Sequence, residues 1–167
     1  MSRMQPSPAD LALWLEVSQF LHRYADHLDH ERFADWVALF DADDCRYEVL
    51  SRENRDLGLS LPIMGCFSHG MVQDRVAMLA KGVLTYRRDR LLRQVSNVQI
   101  EPGSSTTAVS ARANLVVYQS SEEGVSRLYM VARYRAVLRP SGENWRIKSM
   151  DVVVDSFGID TMLAVPL

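Results

Sequence analysis

Apolar residues change their spacing along the chain, from threes and fours in the first half to every second position from Gln94 onward. The first pattern is that of helices with one buried side, and the second that of half-buried strands. Ser7 and Pro8, followed by Asp10, form a helix entry, with Ser7 as N-cap and Pro8 in the first turn. Trp14, Val17, Leu21, Tyr24, Ala25 and Leu28 then make one apolar stripe. A second helical segment is predicted over Glu31 to Leu39, with Phe33, Trp36, Val37 and Phe40 on its apolar side. Asp41 to Asp44 end it, and "CRYEVL" reads as a short strand. Residues 51–70 show no clear period and read as a long loop holding at most one short strand. A loop of that length in a compact domain is usually functional, often as an interaction surface. "MVQDRVAMLAKGVL" predicts a third helix.

In the second half "QVSNVQI" is a strand, and "EPGSSTT" is a turn. "AVSARANLVVYQ" places Val109, Ala111, Ala113, Leu115 and Val117 on one face. "RLYMVARYRAVLR" alternates Leu128, Met130, Ala132, Tyr134, Ala136 and Leu138 against Arg133, Arg135 and Arg139. "WRIKSMDVVVDS" is the last long strand, and Asp151 and Asp155 share a face that could turn inward. Helices followed by antiparallel hairpins define an α+β fold, with N-terminal helices packed on one face of a bent sheet.

The 167 residues form one expected domain, 1–167, long enough for a sizeable core. A formal net charge of −2 argues against a general nucleic-acid binder. No apolar run approaches a membrane span, and the N-terminal residues lack signal-peptide regions, so a cytoplasmic protein is expected. Cys45 and Cys66 have no paired spacing and read as buried thiols. There is no GxGxxG, P-loop or GxSxG string. The chain therefore carries no local motif that supplies chemistry.

The richest candidate is "FLHRYADHLDHERFADW", which holds three of the four histidines, at 22, 27 and 30. Histidine and aspartate are residue types that bind iron or zinc and move protons. At about 100° per residue, His22, Asp26, Asp29 and His30 fall on a sector rotated roughly 140° from the apolar stripe. They are therefore expected to point away from the core, as a solvated or subunit-facing side. Tyr24 lies on the stripe and reads as a core tyrosine with a satisfied hydroxyl. The arginines of "YRRDRLLRQ" form a patch able to receive an acidic surface, though a solvated linker is the commoner outcome for such a segment. Arg133, Arg135 and Arg139 read as the outer face of an edge hairpin. His69, beside Gly70, reads equally as a helix-cap neighbour or a ligand.

Several strings in order carry a resemblance. "RYADHLDHERFADWVALFDADDCRYEV" is similar to the opening of proteins with the nuclear transport factor 2-like cone fold, where helices cap a strongly curved antiparallel sheet. "LDHERFADWVALF", "YEVLSREN", "DRVAML" with "RQVSNVQIEP", "NLVVYQS" and "WRIKSMDVVVDSFGIDTMLAVPL" narrow it. Together they resemble the small (beta) subunit of aromatic-ring-hydroxylating dioxygenases over nearly the whole chain.

The resemblance implies a non-catalytic structural subunit with no cofactor or metal of its own. Its partner would be a catalytic alpha subunit carrying a Rieske 2Fe–2S centre and a mononuclear Fe(II), supplied from NAD(P)H through a reductase. The usual assembly is a hetero-hexamer, alpha3beta3, in which the small subunits also associate as a trimer. The "SREN…LGL" loop and the "DTMLAVPL" string resemble small subunits paired with oxygenases for carboxylated arenes such as salicylate, terephthalate or anthranilate. Expected subunit-interface residues are His22, Asp26, Asp29, His30, Arg52, Asp56, Arg87, Arg88, Arg90 and Arg93, with the C-terminal tail. The same cone fold houses isomerases and dehydratases. A stand-alone enzyme or small-ligand binder is thus the alternative, and it would need a carboxylate and a tyrosine inside the cone.

Overall fold

A computed structural model describes residues 7–59, 61–82, 89–101, 107–156, 158–159 and 163–167. Helix α1 (Pro8–Asp29) opens with the capping box expected at Ser7, which accepts from the Asp10 amide while Asp10 returns a bond to the Ser7 amide. Val17, Phe20, Leu21, Tyr24 and Leu28 form its buried stripe. The helix stops through a Schellman turn. Arg32 donates its amide to the His27 carbonyl and Glu31 to the Leu28 carbonyl, with Glu31 left-handed at φ 53°. Glycine is the usual residue at this position, so Glu31 carries a conformational cost. The turn delivers α2 (Phe33–Val37), shorter than predicted, whose Trp36 is fully buried.

Strand β1 (Arg46–Ser51) follows, then a five-residue helix α3 (Arg52–Asp56), β2 (Met64–Cys66) and helix α4 (His69–Ala80). The short strand in 51–70 agrees with the sequence pattern, whereas α3 was not expected. Ser51 caps α3 by accepting from the Asn54 amide. Four long strands complete the sheet: β3 (Arg90–Ile100), β4 (Val109–Ser120), β5 (Ser126–Ser141) and β6 (Asn144–Val154). The β5–β6 hairpin turns through Gly142 at φ 61°, a left-handed position that a two-residue turn demands.

The strand order is β2-β1-β6-β5-β4-β3. Two expectations change here. The sheet is mixed rather than wholly antiparallel, because β1 runs parallel to β6, far away in sequence. And β5 is a central strand between β4 and β6, so its arginines do not sit on an edge hairpin. Register breaks at Ser96/Gln99, Val117/Tyr118 and Val137/Leu138 bend the long strands. The break in β5 also reverses one side chain. Tyr129 is the extra residue, so Leu128 pairs with Tyr118 on the outer face instead of entering the core with Met130.

Helix α1 lies along the edge strand β3. The Trp14 indole N–H donates to the Val98 carbonyl at 2.9 Å, and Asp29 accepts from the Arg93 amide. Covering an edge in this way occupies groups that would otherwise template pairing with another chain. Between helices and sheet sits an aromatic cluster: Trp36 meets Tyr24, Phe40 and Tyr47 edge-on, at centroid distances of 4.8–5.8 Å. No helix among the described residues is long and apolar enough to cross a membrane.

Candidate assembly surface and filled interior

The histidine–aspartate stretch divides into two halves with different surroundings. His22, Asp26 and His30 are exposed, as the helical projection has them. Asp26 pairs with the His30 ring at 2.9 Å and with the Arg32 guanidinium, while Arg32 Nε donates to His27 Nδ1 at 3.3 Å. The Schellman turn brings Arg32 back over the last helical turn and so creates this cluster. Partial burial, and then the nearby Arg32 charge, hold the His27 imidazole below its ordinary pKa.

Asp29 departs from the projection and turns inward. Its side chain is 11% exposed and pairs at 2.7 Å with the guanidinium of Arg93, whose side chain is fully buried. It also accepts from the Arg93 amide at 3.0–3.1 Å. Asp29 is the last residue of α1, and β3 packs against that end, so a long-range partner overrides the angular rule. Arg93 likewise leaves the expected basic surface. It donates to the Pro166 carbonyl at 2.5 Å, and residues 163–167, expected to be an outward tail, fold into the same core.

On the opposite face of the sheet the charged residues interlock. Arg46 bonds Glu48 at 3.0 Å and Asp151 at 3.4 Å, and Arg55 reaches Asp151 at 3.5 Å. Asp155 accepts from Arg133 at 2.5 Å and from Arg52 at 3.4 Å. Helix α3 is thus held by Arg55 to β6 and by Arg52 to Asp155 just beyond it. Asp56 and Arg90 are exposed. Arg87 and Arg88 lie outside the described residues. Arg139 pairs with Asp44, and Arg112 and Arg135 face each other across β4 and β5.

Besides its charges, the loop carries apolar residues that the sequence pattern does not single out. Leu57, Leu59, Leu61, Ile63 and Phe67 are all large, apolar and exposed. Their every-second spacing from 57 to 63 was visible, yet a strand pattern with no polar partner strand gives no reason to expect exposure. A second exposed row, Leu92–Tyr118–Leu128, crosses β3, β4 and β5 in register on the outer face. Clustered exposure of this kind marks contact surfaces more often than scattered single residues do.

Among the described residues, Tyr24 and the carboxylates Asp29, Glu48, Asp151 and Asp155 are each engaged in a hydrogen bond or ion pair. Tyr24 donates its hydroxyl to the Leu167 carbonyl at 2.9 Å, and burial, with Tyr47 and Tyr134 beside it, drives its pKa well above the ordinary phenol range. Glu48, Asp151 and Asp155 are engaged in the outer-face ion pairs, so the inward turn considered for the last two is corrected: Met150, Val152 and Val154 take the core positions. Burial, and then Asp41 and Asp44, push the Cys45 thiol up to about 11, and burial also raises Cys66. Such thiols stay protonated at neutral pH and are poor metal ligands. Among the described residues no three of His, Cys, Asp and Glu converge as a metal site would require. His69, in the first turn of α4, joins no such group; the Ser68 hydroxyl caps that helix.

Residues 23–161 match the sequence model of the family described as ring hydroxylating beta subunit. The chain is 29% identical over 164 residues to the small subunit of anthranilate 1,2-dioxygenase from Burkholderia cepacia, an alignment spanning 98% of this chain and 100% of that subunit. It superposes with a TM-score of 0.83 and 33% identity on a beta subunit assigned to an aromatic-ring-hydroxylating dioxygenase of Novosphingobium aromaticivorans, covering 94% of this chain and 98% of the other. A protein of the same organism assigned as a scytalone dehydratase has a TM-score of 0.70 at 16% identity, with 93% of each chain covered. That last likeness concerns the fold alone.

Proposed function

The chain belongs to the ring-hydroxylating beta subunit family, and from that premise we propose that it holds the catalytic alpha subunits of an aromatic-ring-hydroxylating dioxygenase together without itself carrying out chemistry. The family match over residues 23–161 carries this reading. The proposed assembly is alpha3beta3, with the small subunits self-associating as a trimer in the cytoplasm. The Rieske 2Fe–2S centre and mononuclear Fe(II) belong to the alpha subunit in this reading, and NAD(P)H supplies electrons through a reductase. A carboxylated arene is the proposed substrate class, supported by the likeness to an anthranilate dioxygenase small subunit.

Two kinds of surface are proposed to serve assembly. One is polar: His22, Asp26, His30, Arg52, Asp56 and Arg90, with Arg87 and Arg88. Asp29 and Arg93 would contribute from beneath it by fixing the end of α1. The other is the apolar ridge from Leu57 to Phe67. Burying apolar side chains supplies affinity, whereas charged rims set register and exclude wrong partners.

The test is purification of the tagged chain from its native host, recording mass, iron content and visible spectrum. The reading expects a complex with a chain more than about twice this size, containing iron and a Rieske-type spectrum. Leu61→Asp should abolish that complex, because a carboxylate would be buried without a partner. A colourless, iron-free protein with no large partner, from cells expressing aromatic-degradation genes, would sink the reading.

A further inference from the structure

Residues 163–167 lie inside their own domain, clasped as a ligand would be. The Tyr24 hydroxyl donates to the Leu167 carbonyl at 2.9 Å, and the Leu167 amide donates to the Tyr47 hydroxyl at 2.9 Å. Arg93 donates to the Pro166 carbonyl at 2.5 Å. Leu167 is fully buried and Ala164 nearly so. Three side chains from α1, β1 and β3 thus read the backbone of one short segment. The Tyr24 and Tyr47 rings belong to the aromatic cluster that also holds Trp36 and Tyr134.

The polar capacity of this interior exceeds what its occupant uses. The Tyr134 hydroxyl and Arg93 Nε are buried and have no hydrogen-bond partner among the described residues. Tyr134 stands edge-on to Tyr24 at 5.4 Å, and is therefore part of the same cluster. A core selected only for packing leaves few such groups, since each forfeits a bond it would make in water. The charge of Arg93 is already balanced by Asp29. A charged ligand would therefore enter without a counter-charge, whereas a neutral amide or carbonyl group would use the donors and the acceptor already present.

We propose that the interior of the sheet is a binding site for neutral amides with an apolar body, and that residues 163–167 are its built-in plug. Tyr24 and Arg93 supply donors to the carbonyl, Tyr47 accepts the amide N–H, and Tyr134 offers a further hydroxyl. Intramolecular attachment gives the plug a high effective concentration, so a free ligand competes only when the segment is withdrawn or cut.

The experiment uses the full chain, in whatever assembly it forms, beside a variant lacking residues 163–167 and a Leu167→Ala variant. The probes are benzamide at millimolar concentration and the peptide Leu-Ala-Val-Pro-Leu, acetylated at its N-terminus and amidated at its C-terminus so that it is neutral, with thermal shift and calorimetry as readouts. The intact chain should bind neither. The deleted variant should bind both at least about tenfold more tightly than the intact chain, and Leu167→Ala should gain benzamide binding. In the deleted background Tyr47→Phe should weaken the peptide by about fivefold, the loss of one buried acceptor. Should the deletion unfold the chain, the peptide added in excess must restore folding. A folded deletion variant that binds neither probe, or an unfolded one that the peptide does not rescue, overturns the proposal. Because no large partner enters the measurement, the assembly reading can fail or stand independently of it.

Discussion

The two faces of the sheet are built from the same strands, alternate residues apart, and are stabilised in different ways. On the inner face Val109, Ala111, Ala113, Leu115 and Val117 belong to one buried cluster with Tyr134, Trp36 and the α1 stripe, and one ion pair, Asp29–Arg93, is enclosed. On the outer face Arg46, Glu48, Asp151, Arg133 and Asp155 form ion pairs whose arginines reach solvent. The inner pair is short of water and must be complete; the outer pairs are screened and individually replaceable. One chain therefore carries a core that tolerates little change and a surface free to evolve toward partners.

The sharpest way to break this comparison is Arg93→Met. It leaves the Asp29 carboxylate unpaired and strips the Pro166 carbonyl of its donor, and should cost about 3–5 kcal/mol in urea unfolding. A double variant with Asp29→Asn should recover part of that loss. If Arg93→Met costs no more than an outer-face arginine, the division between the faces is wrong.

Alkaline pH comes next. Cys45, Tyr24, Tyr47 and Tyr134 all have folded-state pKa values raised by burial. For such groups the neutral form belongs to the folded state. Their contribution is complete below the ordinary thiol value of 9.0 and is lost as pH rises through about 11 for Cys45. Unfolding free energy should fall across that window. A flat profile through the window would contradict the buried placement of these groups.

Tyr134→Phe removes a buried hydroxyl that has no partner among the described residues. It should be neutral or stabilising by up to about 1 kcal/mol, read from chemical denaturation. The smallest effect is expected outside. Arg133→Ala should change the stability of the separate chain by about 0–1 kcal/mol, and added salt should shrink the difference. The same change should be more costly in any complex that buries Asp155.

Local pattern carried much of this architecture. The α1 capping box, the Val17–Leu28 stripe and the alternation of β4 follow from neighbours within a few residues, because helix and strand periods are local properties. The family was also legible, from strings spread across the chain. Asp29 was misread for the opposite reason: its angular position on the helix is local, but its partner Arg93 lies 64 residues away. Leu128 lies outside the core because the β4–β5 register shifts at Tyr129, and a bulge has no signature in alternation alone.

The sequence by itself determined the α+β class, the order of the elements apart from α3, the core stripes of α1 and β4, and membership of the family. Tertiary structure alone decided that β1 joins β6 in parallel, that Arg93 and Asp29 are enclosed, and that Leu167 comes to rest between Tyr24 and Tyr47. Each of those contacts closes a loop of many residues. Such contacts are selected by the total burial and hydrogen bonding of the finished core, which no short window of residues contains.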